Sequence, residues 1–498
     1  MGKLTDKVAK GVFWVLLEKF GIQLAHFVVT LVLARLLTPN DYGTVALLSI
    51  FITIANVLVD CGFSKALVQK KKASQTDFNT VFYLSMVFAV LLYAVLFFGA
   101  PLVARFYDIA DLTVMLRVLA LSLIFHSING VQNVELNRKM LFHLSFRISW
   151  VRTTVSAVAG ISFACAGYGP WALVWASLLG GVAGVIARQL VIRWRPSLTF
   201  SWDSAKSLFR YGWKMAAAGL VNAICNNITG LVIGKVYTRA DLAFYKKGDH
   251  TPHILTNSLD ATLGRVSFPA LVRLQDEPVK LRNALRRMIK CSTFLVFPMM
   301  AAVSVLAKPL VLAMFGERWL PCVPYMRLYC VVCACRPFST VNLQTILAGG
   351  HSGIYLVLIV IRRVLGLATL ALTIRLGVLQ YLFWAVIVSG PVGVLINAIP
   401  NWRLLGYTCL MQFLDILPAL LMSLAAWGVV FAAGCIWPFR VEWFLAVGVP
   451  FGFAFYFALA LAFRSAPLAE FAQQLLKHTG RMPSLSRFLA AILRRCGK

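Results

Sequence analysis

The chain has 498 residues, 60% of them hydrophobic and 13% charged, with a mean hydropathy of +0.79. That composition excludes a soluble globular protein and a charge-rich disordered one. A net charge of +30 invites a nucleic-acid partner, but the placement of the charge assigns it to a membrane instead.

Apolar runs able to cross a bilayer recur from end to end. They lie near 11–36, 43–60, 78–98, 112–131, 148–166, 169–187, 212–234, 241–264, 291–307, 321–347, 353–374, 379–399, 413–435 and 443–463. The expected fold class is an all-α polytopic membrane protein with about 14 transmembrane helices. With the N-terminus inside, the cytoplasmic segments hold about 29 of the Lys and Arg residues and the opposite segments about 9. The asymmetry predicts an inner-membrane protein with both termini cytoplasmic and no nucleic-acid partner. The basic, then apolar, opening lacks a small-residue cleavage site and reads as a retained helix.

Taken in order, helix 1 carries Glu18, Lys19 and His26 inside its apolar run. Charges at that depth are expensive, so they are expected to face the protein interior. Next comes LARLLTPNDYG, in which Thr38, Pro39, Asn40 and Asp41 make a tight turn into helix 2. Helix 2 ends in VDCGFSKALVQKKK, whose lysines anchor the cytoplasmic side. Helices 5 and 6 are joined by Gly167 to Pro170 alone, and Gly180 and Gly184 form a small-residue pair suited to close helix approach.

A register shift of about 200 residues aligns LVLARLLTPND (31–41) with LVIGKVYTRAD (231–241) without a gap. Leu, Val, Thr and Asp recur in place, Arg35 meets Lys235, Asp60 meets Asp260 and Lys65 meets Arg265. The offset spans an even number of helices, so both halves enter the membrane in one direction. That predicts a parallel repeat: two six-helix bundles, 1–200 and 201–400, followed by helices 13 and 14 in 401–463 and a cytoplasmic tail, 464–498. In the tail, Leu485, Phe488, Leu489, Ile492 and Leu493 follow amphipathic spacing and predict an interfacial helix.

The repeat maps the polar stretch DLAFYKKGDHTPHILTNSLDATLGR (241–265) onto a span. On a helix, Lys246, Asp249, His250, His253, Asn257 and Asp260 fall within about 60° of one line, and such a stripe must face protein or water. The competing reading is a loop, supported by Pro252. The following FPALVRLQDEPVKLRNALRRMIK suits an amphipathic connector on the cytoplasmic surface. Arg336 precedes Pro337 in helix 10, and Arg362 and Arg363 sit about mid-span in helix 11, facing a cavity or snorkelling. Asp415 reads as interfacial. Cys330, Cys333 and Cys335 read as small packing residues, with no metal site and no cofactor expected.

No phosphate-cradling glycine loop and no sizeable extramembrane domain is present in the sequence, which argues against an enzyme. A parallel repeat with charges at membrane depth makes a secondary transporter, with its substrate site between the halves. Lys19, Lys214, Lys246, Lys247, Arg336, Arg362 and Arg363 outnumber Glu18, Asp249 and Asp260, and the excess predicts an anionic cargo. Glu18, Asp249, His250, His253 and Asp260 are the candidates for ion coupling, since histidine titrates near physiological pH. A purely structural polar network is the alternative.

LARLLTPNDYG followed by DCGFSKALVQKKK resembles the opening of the Wzx-type polysaccharide transporters, especially the branch of the colanic acid exporter. FPALVRLQDEPVKLRNALRRM, FGERW, and Arg336-Pro337 leading to LAGG are similar to later motifs of that family. The resemblance implies a place in the multidrug/oligosaccharidyl-lipid/polysaccharide exporter superfamily. It implies a flippase for polyprenyl-pyrophosphate-linked oligosaccharide in exopolysaccharide, capsule or O-antigen (lipopolysaccharide) synthesis. The implied partners are the lipid-linked oligosaccharide, membrane lipids, and a polysaccharide polymerase with its assembly proteins. The sequence departs from the family at Tyr245 to His250, where helix 8 usually begins blandly. The alternatives are a lipid II or multidrug exporter of the same superfamily, and a non-transporting scaffold.

Overall fold

The protein was analysed as a computed structural model that describes residues 21–69, 74–138, 141–191, 196–436 and 441–478. Among these the regular structure is entirely helical, with no strand. Eleven helical segments are long and apolar enough to cross a membrane. The other three expected spans fall on the apolar helix Gly21–Leu36 and on two more polar helices, Arg239–Val272 and Val323–Ala348. Lys19, Glu18 and the predicted tail helix from Ser484 lie outside the described residues. The protein is a multi-pass membrane protein, as its composition predicts.

The chain forms two compact units, Met1–Ala243 and Phe244–Lys498. In the first, α1 (Gly21–Leu36) leads into α2 (Pro39–Asp60), α3 (Phe63–Gln69) and α4 (Gln75–Tyr107). Then follow α5 (Leu112–Ala120), α6 (Ser122–Arg138), α7 (Phe142–Cys165), α8 (Trp171–Val191) and α9 (Trp202–Val236). The α7–α8 hairpin is closed by the glycine pair read from sequence. A Cβ on Gly180 would lie 2.8 Å from the Cβ of Ser156, and one on Gly184 would touch the Arg152 side chain at 3.5 Å.

The Thr and Asp that recur in the shifted alignment make the same contacts at two helix starts. Thr38 N–H donates to Asp41 Oδ2 at 2.9 Å, and Asp41 N–H donates back to Thr38 Oγ1 at 3.3 Å. Thr238 and Asp241 make the same two bonds, both at 3.1 Å. Each is a reciprocal cap that satisfies orphan backbone donors. The recurring Thr and Asp of the shifted alignment therefore do one job twice.

Helix α9 lies against α2 along its length. At one end the carbonyl oxygen of Arg239 occupies the place of a Gly43 side chain, 1.8 Å from where a Cβ would sit. At the other, Gly62, with φ +70°, would bring a Cβ within 2.3 Å of the Gly212 carbonyl oxygen. Between them Gly219 faces Val57 and Gly234 faces Leu47. Lys235 pairs with Asp108 at 3.1 Å, and the Tyr107 hydroxyl donates to the Leu231 carbonyl at 3.3 Å.

The second unit holds most of α10 (Arg239–Val272), then α11 (Pro278–Val305), α12 (Ala307–Met314) and a 3-10 turn (Glu317–Cys322). Next come α13 (Val323–Ala348), α14 (Ser352–Thr373), α15 (Val378–Ile387) and a π-helical segment, Val388–Val392. It ends with α16 (Gly393–Leu405), α17 (Cys409–Ile436), α18 (Val441–Ala462) and α19 (Ala466–His478).

Two expectations change here. The amphipathic stretch 268–290 is no separate surface helix: 268–272 end α10, and 278–290 are the first turns of α11, which runs on through Pro298. Its Leu281, Leu285 and Ile289 are buried in packing, which is why the amphipathic pattern appeared. Asp415 is not loosely interfacial either. Its side chain is only 6% exposed, with Arg286 against one oxygen, Lys290 at 2.9 Å and the Tyr407 hydroxyl at 2.7 Å. Of the basic residues of α11, Arg286 and Lys290 meet this carboxylate and Arg287 meets Glu470 of α19 at 2.6 Å.

The Gly43 contact gives a direct check. Its neighbour is backbone that cannot swing away, so Gly43→Ala should force α2 from the α9–α10 turn. The expected loss is about 1–3 kcal/mol of stability, read as a lowered melting temperature of the detergent-purified protein. Gly99→Ala, with nothing within 4 Å of its Cβ position, should leave it unchanged.

Candidate functional site

The polar stripe lies on one continuous helix. α10 passes through Pro252 without a break, so 241–265 is not the alternative loop. Proline removes one N–H from the ladder and leaves the Gly248 carbonyl without its usual donor. Gly248 has a second effect. A Cβ there would stand 2.5 Å from the Tyr325 Cβ and 2.9 Å from the Met326 nitrogen. Only glycine lets α10 and α13 approach this closely, and that approach sets the site.

Over the next three turns α10 meets Arg336 of α13. Arg336 Nε lies 3.0 Å from Asp260 Oδ2, and its Nη1 donates to Asn257 Oδ1 at 3.1 Å. The Asp260 side chain is 12% exposed and neither oxygen accepts a well-directed hydrogen bond, so the pairing is mainly Coulombic. Arg336 Nη1 also approaches His253 Nδ1, and the opposite ring nitrogen, Nε2, lies 2.9 Å from Asp249 Oδ1. Cys333 Sγ stands 3.7 Å from the same Nδ1, and the Tyr329 ring lies 6.0 Å from the imidazole.

This wiring assigns a tautomer. A guanidinium only donates, so Nδ1 must present a lone pair and the ring proton belongs on Nε2, toward Asp249. A second proton, on Nδ1, would point at the Arg336 N–H. Protonated His253 and the Arg336–His253 contact therefore exclude each other.

The remaining candidates separate. Lys247 points away from the stripe and is buried, 7% exposed. Its Nζ lies 4.8 Å from the Phe315 ring centre and 5.4 Å from that of Trp319, a cation–π setting. Its neighbour Lys246 is half-buried near Asp249. His250 and Lys214 are exposed. On α14, Arg362 is half-buried with its guanidinium 3.4 Å from the Cβ position of Gly393, beside the π-helical segment. Arg336 and Arg363 stand within electrostatic reach of it. Among the described residues no carboxylate pairs with Arg362, whereas Asp260 largely balances Arg336. Arg363 is exposed.

Sequence reasoning put Asp249, His253, Asn257 and Asp260 on one stripe and named Arg336 separately; the structure brings Arg336 to them. Sequence reasoning missed Gly248, Cys333 and Tyr329. The only signal for Gly248 was a glycine inside an otherwise helical polar run. The ion pair also predicts a sign. Arg336→Met should strand the Asp260 carboxylate and cost about 1–3 kcal/mol. Adding Asp260→Asn should recover part of that loss in the melting temperature, against the rule that a second substitution harms.

Comparison with known proteins agrees with this architecture. The family described as polysaccharide biosynthesis protein matches residues 32–324. Teichuronic acid biosynthesis protein TuaB of Bacillus subtilis is 23% identical over 71% of this chain and 73% of its own length. Lipopolysaccharide biosynthesis protein WzxC of Escherichia coli is 24% identical over 66% of this chain and 67% of its own. Among solved structures, the inward closed conformation of the lipid II flippase MurJ superposes with a TM-score of 0.71 at 12% identity. It covers 91% of this chain and 98% of MurJ. These matches bear out the resemblance carried by LARLLTPNDYG and the motifs that follow it.

Proposed function

The chain belongs to the polysaccharide biosynthesis protein family, and from that premise we propose that it is a flippase for lipid-linked oligosaccharide. The cargo is a polyprenyl-pyrophosphate-linked repeat unit, carried across a bacterial inner membrane by alternating access for surface polysaccharide synthesis. Both termini are cytoplasmic in this reading, and a polysaccharide polymerase and its assembly proteins receive the product. The repeated Thr38–Asp41 and Thr238–Asp241 caps support two six-helix bundles, 1–200 and 201–400, with helices 13 and 14 appended in 401–463.

The observation that carries the reading is Arg362, a half-buried cation that no carboxylate among the described residues compensates, with Arg336 and Arg363 nearby. An uncompensated charge at membrane depth is costly unless an anion meets it, and a pyrophosphate is such an anion. Lys246 adds to this charge, and Lys214 and Lys19 stay candidates from the sequence alone. Lys247, held against Phe315 and Trp319, contributes less to cargo than to the packing of α10. Asp249, His253 and Asp260 couple transport to protons: protonating His253 releases its hold on Arg336. His250 and Glu18 stay secondary candidates.

Deleting the protein should abolish the surface polysaccharide and trap undecaprenyl-linked oligosaccharide in the inner leaflet. Normal polysaccharide without a trapped intermediate would overturn the proposal in favour of lipid II or drug export. Arg362→Gln should lower export at least tenfold, about 1.4 kcal/mol, with the protein still folded and inserted. Unchanged export would remove Arg362 from the cargo path.

A further inference from the structure

The first unit contains a cavity that the cationic site does not explain. Its volume is about 800 Å³, within the range of about 300–1,000 Å³ that takes small ligands. Its polar lining comes from three helices. Thr53, Asn56 and Asp60 follow one face of α2, with Ser64 just beyond on α3, and His126 and Asn133 face them from α6. Val57, Val134, Met215 and Ala216 fill the intervals, the last two from α9. None of the lining residues is Lys or Arg.

Three features define what fits. Among the described lining residues Asp60 is the one carboxylate and no cationic side chain is offered to a pyrophosphate. Most of the polar groups are hydroxyls and amides, which both donate and accept, as sugar hydroxyls do. On this wall Asp60 accepts from the Ser64 hydroxyl, which orients both groups. Small apolar side chains between the polar ones suit the C–H faces of pyranose rings.

We propose that this cavity, lined by Asn56, Asp60, Ser64 and Asn133, is a saccharide subsite that binds the glycan and not the phosphate of the cargo. It rests on the flippase reading and adds to it a part played by the first unit alone. The cavity reads the sugars and sets which repeat unit is carried.

The test measures binding of two probes to the full-length protein in nanodiscs. One is undecaprenyl pyrophosphate without sugar; the other is the undecaprenyl-pyrophosphoryl oligosaccharide fraction extracted from the deletion strain. The wild type is expected to bind the glycosylated probe about tenfold or more tightly over the bare lipid. Asn56→Leu and, separately, Asn133→Leu should bring that ratio toward one while affinity for the bare lipid holds. Asn133 is exposed, so its variant keeps the test valid if Asn56→Leu does not fold. A ratio unaltered in both variants, or an equal fall for both probes, overturns the subsite. Wild type binding both probes equally overturns the subsite and leaves the flippase reading standing; wild type binding neither overturns both.

Discussion

Ionised side chains inside hydrocarbon must be met within the protein, and the seam between α10 and α13 is where this chain meets that demand most directly. The stripe on α10 carries Asp249, His253 and Asp260; α13 meets its carboxylate at Asp260 with Arg336. One guanidinium then serves a carboxylate, an amide and an imidazole. The geometry depends on Gly248, because a side chain there would push the helices apart before the guanidinium could reach across. A single missing Cβ therefore decides whether four polar groups are paired or stranded.

How the charges are disposed separates structure from work. Asp415 draws two cations and a phenol, and burial with that hydroxyl contact pushes the Tyr407 phenol well above its usual range, so it stays a donor. Arg287 is tied to Glu470. Those charges hold helices to each other. Arg362 has no such counterpart among the described residues, and a similar separation holds for the neighbouring lysines. Lys247 is absorbed by aromatic faces and Lys246 stays on the polar side. Counting charges along the sequence gives only their sum; the pairing says which are available to a ligand.

Much of this was legible beforehand because membranes simplify the code. Hydropathy located most of the spans. The shifted alignment of LVLARLLTPND with LVIGKVYTRAD picked out two threonine–aspartate caps that proved to share their hydrogen bonds. The stripe was legible because a helix has a fixed period. Other features were not. Nothing in FPALVRLQDEPVKLRNALRRMIK distinguishes a helix lying on lipid from the start of a helix buried in protein, since both need one apolar face. Gly43, Gly62 and Gly248 look like any glycines in apolar sequence, and only the facing backbone gives them meaning. The cavity in the first unit draws on residues from 53 to 219, a separation that local pattern does not bridge.

Neither α10 nor α13 qualifies as a span by hydropathy, yet each sits among helices that do. Their polarity is mutual: the stripe of α10 is tolerable because Arg336 covers part of it, and Arg336 at depth is tolerable because Asp260 is there. A helix of this kind gains little by entering lipid alone, so its stability in the membrane comes from its partner and not from its own sequence. What the two helices share is a single guanidinium, which Asp260, Asn257 and His253 meet from the same side.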